Sequence, residues 1–215
     1  MHDLTGFRAD ASRRGFLRAS AAPIAAGGLA AFLAACGSSS DPQTAEDKSS
    51  DAQAPTGGQD KTIVNYALKL EYIEVDFYDR AVGSGALSGA EAELFKRIQE
   101  NEHAHVDALL ALAKKLHGDP VAEKPTTQFP IGGDRSKILS LAAQLEGIGA
   151  AAYLGQMELI ENREVLAAAV SIHSVEARHA AKLALLAGED FSPDGAFATP
   201  QNMEEVQDAI QPFLV

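Results

Sequence analysis

The sequence contains a single cysteine among its 215 residues and no tryptophan. One cysteine excludes an intrachain disulfide, a cysteine-based zinc site and a cysteine-ligated iron–sulfur cluster. Basic residues are also scarce, with 18 Lys and Arg against 30 Asp and Glu and a formal net charge of −12. Nucleic-acid binding needs a basic face, so no nucleic-acid partner is expected. The composition is otherwise that of a globular protein, with 46% hydrophobic and 22% charged residues.

Residues 1–35 are predicted to be a signal peptide rather than part of the fold. The segment SRRGFLR, which contains Arg13 and Arg14, resembles the twin-arginine export signal. The Ala- and Gly-rich run that follows is too short and too weakly hydrophobic to span a membrane comfortably. It ends in LAAC at Cys36, which resembles a bacterial lipoprotein cleavage box. A chance arginine pair and an ordinary buried cysteine are the alternatives, but the two motifs occur in register.

These two resemblances imply a location for the protein. It would be exported by the twin-arginine machinery, which carries folded proteins and suits one that acquires a cofactor first. It would then be lipid-anchored through Cys36 to the outer face of a bacterial membrane, on the periplasmic or cell-surface side. Residues 36–59 are rich in Ser, Asp, Gln and Gly and have almost nothing to bury. They are predicted to be a flexible, lipidated tether.

From Lys61 onward, apolar residues recur at helical spacing and predict an all-α fold. The predicted helices cover about 60–82, 88–118, 136–160 and 163–187. The second opens with a capping box formed by Ser88 and Glu91 and closes at Gly118. Short links join the first helix to the second and the third to the fourth, so each pair is an antiparallel hairpin.

The link between the hairpins is long and contains Pro120, Pro125 and Pro130. Its roughly 16 residues can extend to about 50 Å, whereas a 24-residue helix is about 36 Å long. The third helix can therefore start parallel to the second, as in ferritin-like four-helix bundles with one long crossover. This bundle would occupy residues 60–188, followed by a tail over 189–215 with a short helix near 201–210.

The two hairpins repeat each other, and polar residues interrupt their apolar stripes at matching positions. Glu102 and His105 interrupt the second helix, and Glu176 and His179 follow 74 residues later in the fourth. Residues i and i+3 lie on one helix face, so each pair can bind one ion. Glu71 and Glu146 interrupt the first and third helices, 75 residues apart, and each precedes a tyrosine by seven residues: Tyr78 and Tyr153.

Four carboxylates in an apolar core need neutralisation, because burying an isolated ionised carboxylate is strongly unfavourable. Two divalent cations would balance four Glu with neutral His, and carboxylate and imidazole ligands suit iron or manganese. The predicted arrangement gives each metal one His and one terminal Glu, with two Glu bridging. Tyr78 and Tyr153 are interpreted as hydrogen-bond partners of ligand carboxylates, with ordinary core aromatics as the alternative.

Other Glu and His residues are interpreted differently. The overlapping pair of Glu100 and His103 falls on the polar face and is expected to be solvated. Glu74 lies one turn beyond Glu71 near the same face; its matching position is Gly149, which cannot ligate. We therefore expect Glu74 to be a salt-bridged or rim carboxylate, although a contribution to the site stays open. The remaining two histidines of this region are expected to be structural or solvated, namely His117 and His173.

Three segments resemble the ferritin-like superfamily of carboxylate-bridged dimetal bundles: LKLEYIEVDFY, ENEHAHVDAL and SVEARHAAKL. They look especially like the bacterial ferritin-like family related to plant desiccation-related proteins. The resemblance implies six metal ligands, namely Glu71, Glu102, His105, Glu146, Glu176 and His179. It also implies two Fe or two Mn ions that react with O₂ or H₂O₂.

Three functions compete at this stage. The first is a dimetal oxidoreductase of ferroxidase, peroxidase or catalase type with an oxidative-stress role. The second is a non-catalytic metal-binding lipoprotein, and the third is a structural stress or desiccation-related protein that holds no metal. No base or nucleophile outside the ligand set is evident, and cysteine pairs for electron entry are absent, so any electron donor would be external. The lipid anchor argues against a storage cage but is compatible with a homodimer.

Overall fold

The computed structural model describes residues 58–116 and 122–215. The predicted export signal with Arg13 and Arg14, the lipidation site Cys36 and nearly all of the tether lie outside the described residues. His117, Gly118 and Pro120 of the inter-hairpin link lie outside them as well. The description below therefore concerns the helical part of the chain.

Four long helices form the bundle, as the apolar periodicity predicts. They are α1 (Gly58–Gly83), α2 (Gly89–Lys115), α3 (Arg135–Gln156) and α4 (Arg163–Ala187). The side chains of Asp134 and Asn162 cap the N-termini of α3 and α4 by accepting backbone N–H hydrogen bonds. Gly188 ends α4 in the left-handed conformation, with φ of 79°. No β-strand occurs within 58–116 or 122–215.

The contacts between α1 and α3 give the helix directions. Tyr78 of α1 contacts Glu146 of α3, whereas Glu71, two turns earlier on α1, contacts Tyr153 further along α3. These crossed contacts make α1 and α3 antiparallel. Since α1 is also antiparallel to α2, α2 and α3 run in the same direction. The prediction of an all-α, ferritin-like bundle with one long crossover is confirmed.

A polar belt divides the apolar core into two clusters. On α2, Ile98 belongs to one cluster and Val106 to the other. On α4, Ile172 and Leu183 are divided in the same way. The Glu and His residues that interrupt the stripes lie between these positions. The bundle therefore has an apolar core on either side of a central layer of ionisable side chains.

The C-terminal segment packs onto the bundle through α5 (Met203–Ile210), a 3₁₀ turn over Gln211–Phe213 and buried apolar side chains. Asn202 and Glu205 form a capping box at the start of α5. The backbone N–H of Gln201 donates to Ala151 of α3, and Gly155 makes this approach possible. A Cβ atom at Gly155 would lie only 1.9 Å from the carbonyl oxygen of Gln201.

Asp60 fixes the beginning of α1 to the turn between α3 and α4. Its carboxylate is buried and accepts hydrogen bonds from the backbone N–H groups of Glu161 and Asn162, at 3.0 and 2.9 Å. Two donors on one carboxylate satisfy a group that would be unfavourable to bury alone. The first turn of the bundle is thereby fastened to the second hairpin.

Two local predictions are wrong. Ser88 is the N-cap of α2 but its side chain makes no capping hydrogen bond. Glu91, the other member of the predicted box, instead forms a bidentate ion pair with Arg135 across the bundle. The third helix also ends earlier than expected, at Gln156, because the chain tightens into a 3₁₀ turn over Met157–Leu159.

Within the described residues, one stretch passes a length and hydropathy test for a membrane span, Arg135–Leu159. It is α3 with the turn that follows. Of its most apolar 18-residue stretch, 61% is buried inside the bundle. It also carries the buried Glu146. This stretch is a core helix of the bundle.

Candidate metal centre

The central layer contains two Glu-x-x-His pairs, one on each of the two facing helices α2 and α4. Glu102 and Glu176 are fully buried, whereas His105 and His179 have side chains only 10% and 11% exposed. The pairs point inward because they lie on the apolar stripe of each helix, where the positions one turn before and one turn after them are apolar. Glu71 of α1 and Glu146 of α3, both fully buried, complete the layer.

One group of four side chains surrounds the His105 ring. Its Nδ1 atom lies 2.9 Å from Glu102 Oε2, 3.1 Å from Glu176 Oε1 and 3.3 Å from Glu71 Oε2. All four ligand atoms of this group lie within 4.8 Å of one another. Three helices therefore contribute to a single cluster of three carboxylates and one imidazole.

A second group surrounds the His179 ring in the same way. Its Nδ1 atom lies 3.1 Å from Glu146 Oε2 and 3.3 Å from Glu102 Oε1. Glu176 is the fourth member, and the ligand atoms again lie within 4.8 Å of one another. Glu102 and Glu176 belong to both groups, whereas Glu71 and Glu146 each belong to one. The structure brings all six predicted residues together in this pattern.

The two predicted tyrosines contact the carboxylates that belong to single groups. Tyr153 Oη donates to Glu71 Oε1 at 2.6 Å, and Tyr78 Oη donates to Glu146 Oε1 at 2.5 Å. Each tyrosine binds a glutamate of the opposite hairpin. Burial, together with the adjacent carboxylate charge, raises both tyrosine pKa values well above the usual range. The phenols therefore remain hydrogen-bond donors.

The cluster crowds several acids together in the buried centre of the bundle, and this shifts their pKa values. Burial raises the pKa of Glu71 to about 8, against the opposing effect of the His105 hydrogen bond. Burial also raises the pKa values of Glu146 and Glu176 well above the usual range, and neighbouring carboxylates add to the increase. Burial opposes ionisation of Glu102 too, but hydrogen bonds from His105 and His179 lower its pKa to about 2.

His105 supplies positive charge in this arrangement. Burial alone would lower its pKa, but hydrogen bonds to Glu102, Glu176 and Glu71 raise it well above the usual range. The Nδ1 atom of this ring faces oxygen atoms of three carboxylates, as a cation would. A metal ion bound there would displace the proton, because a ligand imidazole must be neutral at the donor nitrogen.

Comparison with known proteins agrees with this geometry. The sequence model of a family described as "Ferritin-like domain" matches residues 59–189, which is more than half of the chain. The chain belongs to this ferritin-like domain family. Among solved structures, the hypothetical protein MJ0754 from Methanococcus jannaschii DSM 2661 is similar, with a TM-score of 0.53 and 17% identity. The match covers 80% of this chain and 98% of that one, and it bears on the fold alone. No curated protein matches the chain.

The ferritin-like domain has buried carboxylate oxygens that a bound cation would satisfy. Among the described residues, four buried carboxylate oxygens in the cluster have no well-directed hydrogen bond: Glu71 Oε2, Glu102 Oε1 and both oxygens of Glu176. The imidazole nitrogens that approach three of them, at 3.1–3.3 Å, are directed at other carboxylates. Buried polar atoms are normally satisfied, and carboxylate oxygens facing one another repel unless a proton or a cation lies between them. The donor set of oxygen and imidazole nitrogen therefore fits iron or manganese.

The remaining predicted residues of the ferritin-like domain are distributed as follows. Glu100 and His103 are exposed, and His103 Nε2 lies 3.4 Å from Asp79 on the surface, so the solvated interpretation is confirmed. His173 is structural, with Nδ1 3.0 Å from the carbonyl oxygen of Ala150. The expectation for Glu74 is wrong. It is only 3% exposed, and no ion pair with it occurs among the described residues.

One further residue of the site was missed. Asn101 contacts His179, with the two side-chain nitrogen atoms, Nδ2 and Nε2, 3.1 Å apart. A half-turn of the carboxamide, which exchanges its oxygen and nitrogen, would let Asn101 accept a hydrogen bond from Nε2–H. This would leave the Nδ1 lone pair directed at the cluster. The position matching Asn101 in α4 is Val175, so only one of the two imidazoles has this partner.

Proposed function

We propose that this protein is a dimetal oxidoreductase whose pair of iron or manganese ions reacts with O₂ or H₂O₂. The observation that supports the proposal is the sharing of Glu102 and Glu176 by two four-residue groups, each with its own histidine and its own glutamate. This division matches a site whose residues would hold two ions, with Glu102 and Glu176 available to both. A single ion would need only one of the groups.

The bound metal pair would supply electrons to the oxidant and hold it in position. The protein residues would hold the centre in shape. Tyr78 and Tyr153 would fix the rotamers of Glu146 and Glu71 through their hydrogen bonds. The apolar clusters on both sides would exclude water from the ligands. The only cysteine of the sequence lies outside this domain, so reducing equivalents would come from an external donor.

The deciding experiment is metal analysis of the purified full chain beside two double variants. Glu102→Ala/His105→Ala removes one of the inward pairs, and Glu100→Ala/His103→Ala removes the overlapping surface pair as a matched control. We expect close to two Fe or Mn per chain in the wild type and the control, and loss of metal in the first variant. A wild-type chain that stays metal-free after loading would contradict the proposal and favour the structural stress protein.

Turnover separates the enzyme from a metal-binding protein that uses the same site. The loaded chain is mixed with Fe²⁺ and O₂ or H₂O₂, and oxidation is followed over many equivalents. Consumption of oxidant that is lost in Glu102→Ala/His105→Ala would support the oxidoreductase. Stoichiometric metal with no turnover under either oxidant would support the non-catalytic lipoprotein instead.

We also propose that the chain is exported by the twin-arginine route and anchored through lipid on Cys36. The support is the sequence itself, in which SRRGFLR precedes a short apolar run that ends at Cys36. Arg13→Lys/Arg14→Lys is expected to keep the protein inside the cell, and Cys36→Ser to release it from the membrane fraction. Membrane association that persists in Cys36→Ser would contradict the anchor.

A further inference from the structure

Glu74 is a buried acid beside the metal centre that is not among the six predicted ligands. It lies one helical turn after Glu71 on α1, and its side chain is almost completely buried. The 75-residue repeat that relates Glu71 to Glu146 relates Glu74 to Gly149 on α3. The two halves of the bundle therefore differ here: one has a carboxylate and the other has no side chain.

The missing side chain of Gly149 is what makes room for Glu74. A Cβ atom built on Gly149 would lie 2.7 Å from Glu74 Oε1. The same atom would lie 3.0 Å from Glu176 Oε2. The contact with Glu74 is shorter than a real Cβ makes, so any other residue at position 149 would displace the Glu74 carboxylate, whereas a small shift would relieve the contact with Glu176. Gly149 thus brings Glu74 and the shared Glu176 to the same point on α3.

The surroundings of Glu74 leave it one direction for a polar partner. On one side it borders a cavity of about 10 Å³ whose other walls are apolar, including Ile73, Leu145 and Ile210. On the other side lie the glutamates of the centre, and their charge, after burial, raises the pKa of Glu74 well above the usual range. Among the described residues, no Lys, Arg or His forms an ion pair with it. A cation at the centre would give this buried carboxylate a partner of opposite charge.

We propose that Glu74 is a fifth carboxylate of the metal centre, admitted by Gly149, and that it makes the two metal positions unequal. The inference rests on the proposed function, since it assigns a further residue to the same site. Glu74 acts on the ions either directly or through Glu176, which it adjoins. The position nearer to Glu74 therefore binds a divalent cation more tightly than its counterpart.

The test compares the full-length wild type with Glu74→Gln and Gly149→Ala. Glu100→Gln, on the exposed face of α2, is the control for the first variant. Gly147→Ala, where a Cβ would meet nothing within 4 Å, is the control for the second. Affinity for Mn²⁺ and, without oxygen, for Fe²⁺ is measured by competition with a chelator. Metal content and the melting temperature of the metal-free protein are measured in parallel.

We expect Glu74→Gln to lower the affinity of one metal position about 10- to 100-fold, with no drop in metal-free melting temperature. Gly149→Ala should do the same by displacing the Glu74 carboxylate. The double variant should be no weaker than the more affected single one, because both changes act on one side chain. Glu100→Gln and Gly147→Ala should bind like the wild type.

The outcomes separate the two proposals. A wild type that binds two metals with an affinity equal to that of Glu74→Gln would overturn the role of Glu74 and leave the proposed function intact. A wild type that binds none would overturn both. Glu74→Gln preserves the shape of the side chain, so it decides the matter even if Gly149→Ala does not fold.

Discussion

Tyr153 on α3 donates a 2.6 Å hydrogen bond to Glu71 on α1, so a carboxylate of the first hairpin is oriented by the second. Tyr78 and Glu146 make the reciprocal contact. The two hairpins are thus joined at the centre by side chains from both, in addition to their apolar packing. The proposed metal centre depends on this exchange, because neither hairpin alone contains a complete group of four.

Tyr153→Phe and Tyr78→Phe are each expected to lower metal affinity by about 10- to 100-fold, because a carboxylate loses the donor that orients it. Chelator competition measures the change. Tyr66→Phe is the matched control, since the buried Tyr66 hydroxyl has no hydrogen-bond partner among the residues that the structure describes. Its removal should leave both affinity and stability nearly unchanged. Equal effects of all three variants would show that the hydrogen bonds to Glu71 and Glu146 do not matter for binding.

Asn101→Ala is expected to weaken only the metal position served by His179. The variant removes the group that can fix the His179 tautomer, whereas His105 has no such partner at Val175. We expect about a 10-fold or greater loss at one position and none at the other, visible as a shift of one phase of the metal titration while the other phase stays as in the wild type. Gln99→Ala, on the same helix and bonded to Asp79, is the control. A uniform loss at both positions would contradict this assignment.

The metal-free protein should become less stable as the pH rises from about 5 to 8. The pKa of Glu71 is about 8 in the folded chain, against an ordinary value of 4.5, so the folded state holds more protons across this interval. His105, whose pKa is raised above its ordinary 6.5, acts in the same direction from pH 6.5 upward. The free energy of unfolding falls with pH wherever the folded state binds more protons.

Glu102 acts in the opposite sense but at lower pH. Its pKa of about 2 lies below the ordinary value, so its contribution to the free energy of unfolding is complete above pH 4.5 and is lost on acidification below that value.

Metal binding needs ionised carboxylates, so the increase in melting temperature on metal loading should grow between pH 5 and 8. Melting curves with and without Mn²⁺ at both pH values measure this. A metal-free melting temperature that rises between pH 5 and 8 would contradict the assignment.

Gly155→Ala should destabilise the protein by loosening the C-terminal segment. The added Cβ would meet the backbone carbonyl of Gln201, which cannot rotate away as a flexible side chain would. Overpacking of this kind costs about 1–3 kcal/mol. Gly147→Ala on the same helix has free space and should be neutral or stabilising by about 0.5–1 kcal/mol. Urea unfolding of both variants distinguishes a local clash from a general effect of alanine in α3.

Much of the candidate metal centre could be predicted because its residues interrupt the apolar periodicity of the helices. Glu102, His105, Glu176 and His179 stand where helical periodicity calls for apolar side chains, and the 74-residue repeat identifies the same break twice. Periodicity gives the inward face of each helix, and two symmetric breaks on inward faces must meet near the bundle centre. The fold follows from the same signal, since short and long links decide which helices are antiparallel.

The errors concern contacts between helices that periodicity does not describe. Glu74 has space to be buried because Gly149, on another helix, has no side chain. The spacing of Glu74 along α1 contains no information about that space, so it predicted a rim position. The capping box at Ser88 and Glu91 follows a valid local rule, but Arg135, 44 residues away, binds Glu91 instead. Asn101 has no signal in the repeat, because its counterpart Val175 is not polar.

The two backbone hydrogen bonds that Asp60 accepts have a mechanical consequence. The two hydrogen bonds from Glu161 and Asn162 connect the first turn of α1 to the turn before α4, so a pull on the chain at Gly58 loads both hairpins together. Glu71 lies about three helical turns further along α1. Tension applied through the predicted tether would therefore have to break these two hydrogen bonds before it could separate Glu71 from the proposed metal centre.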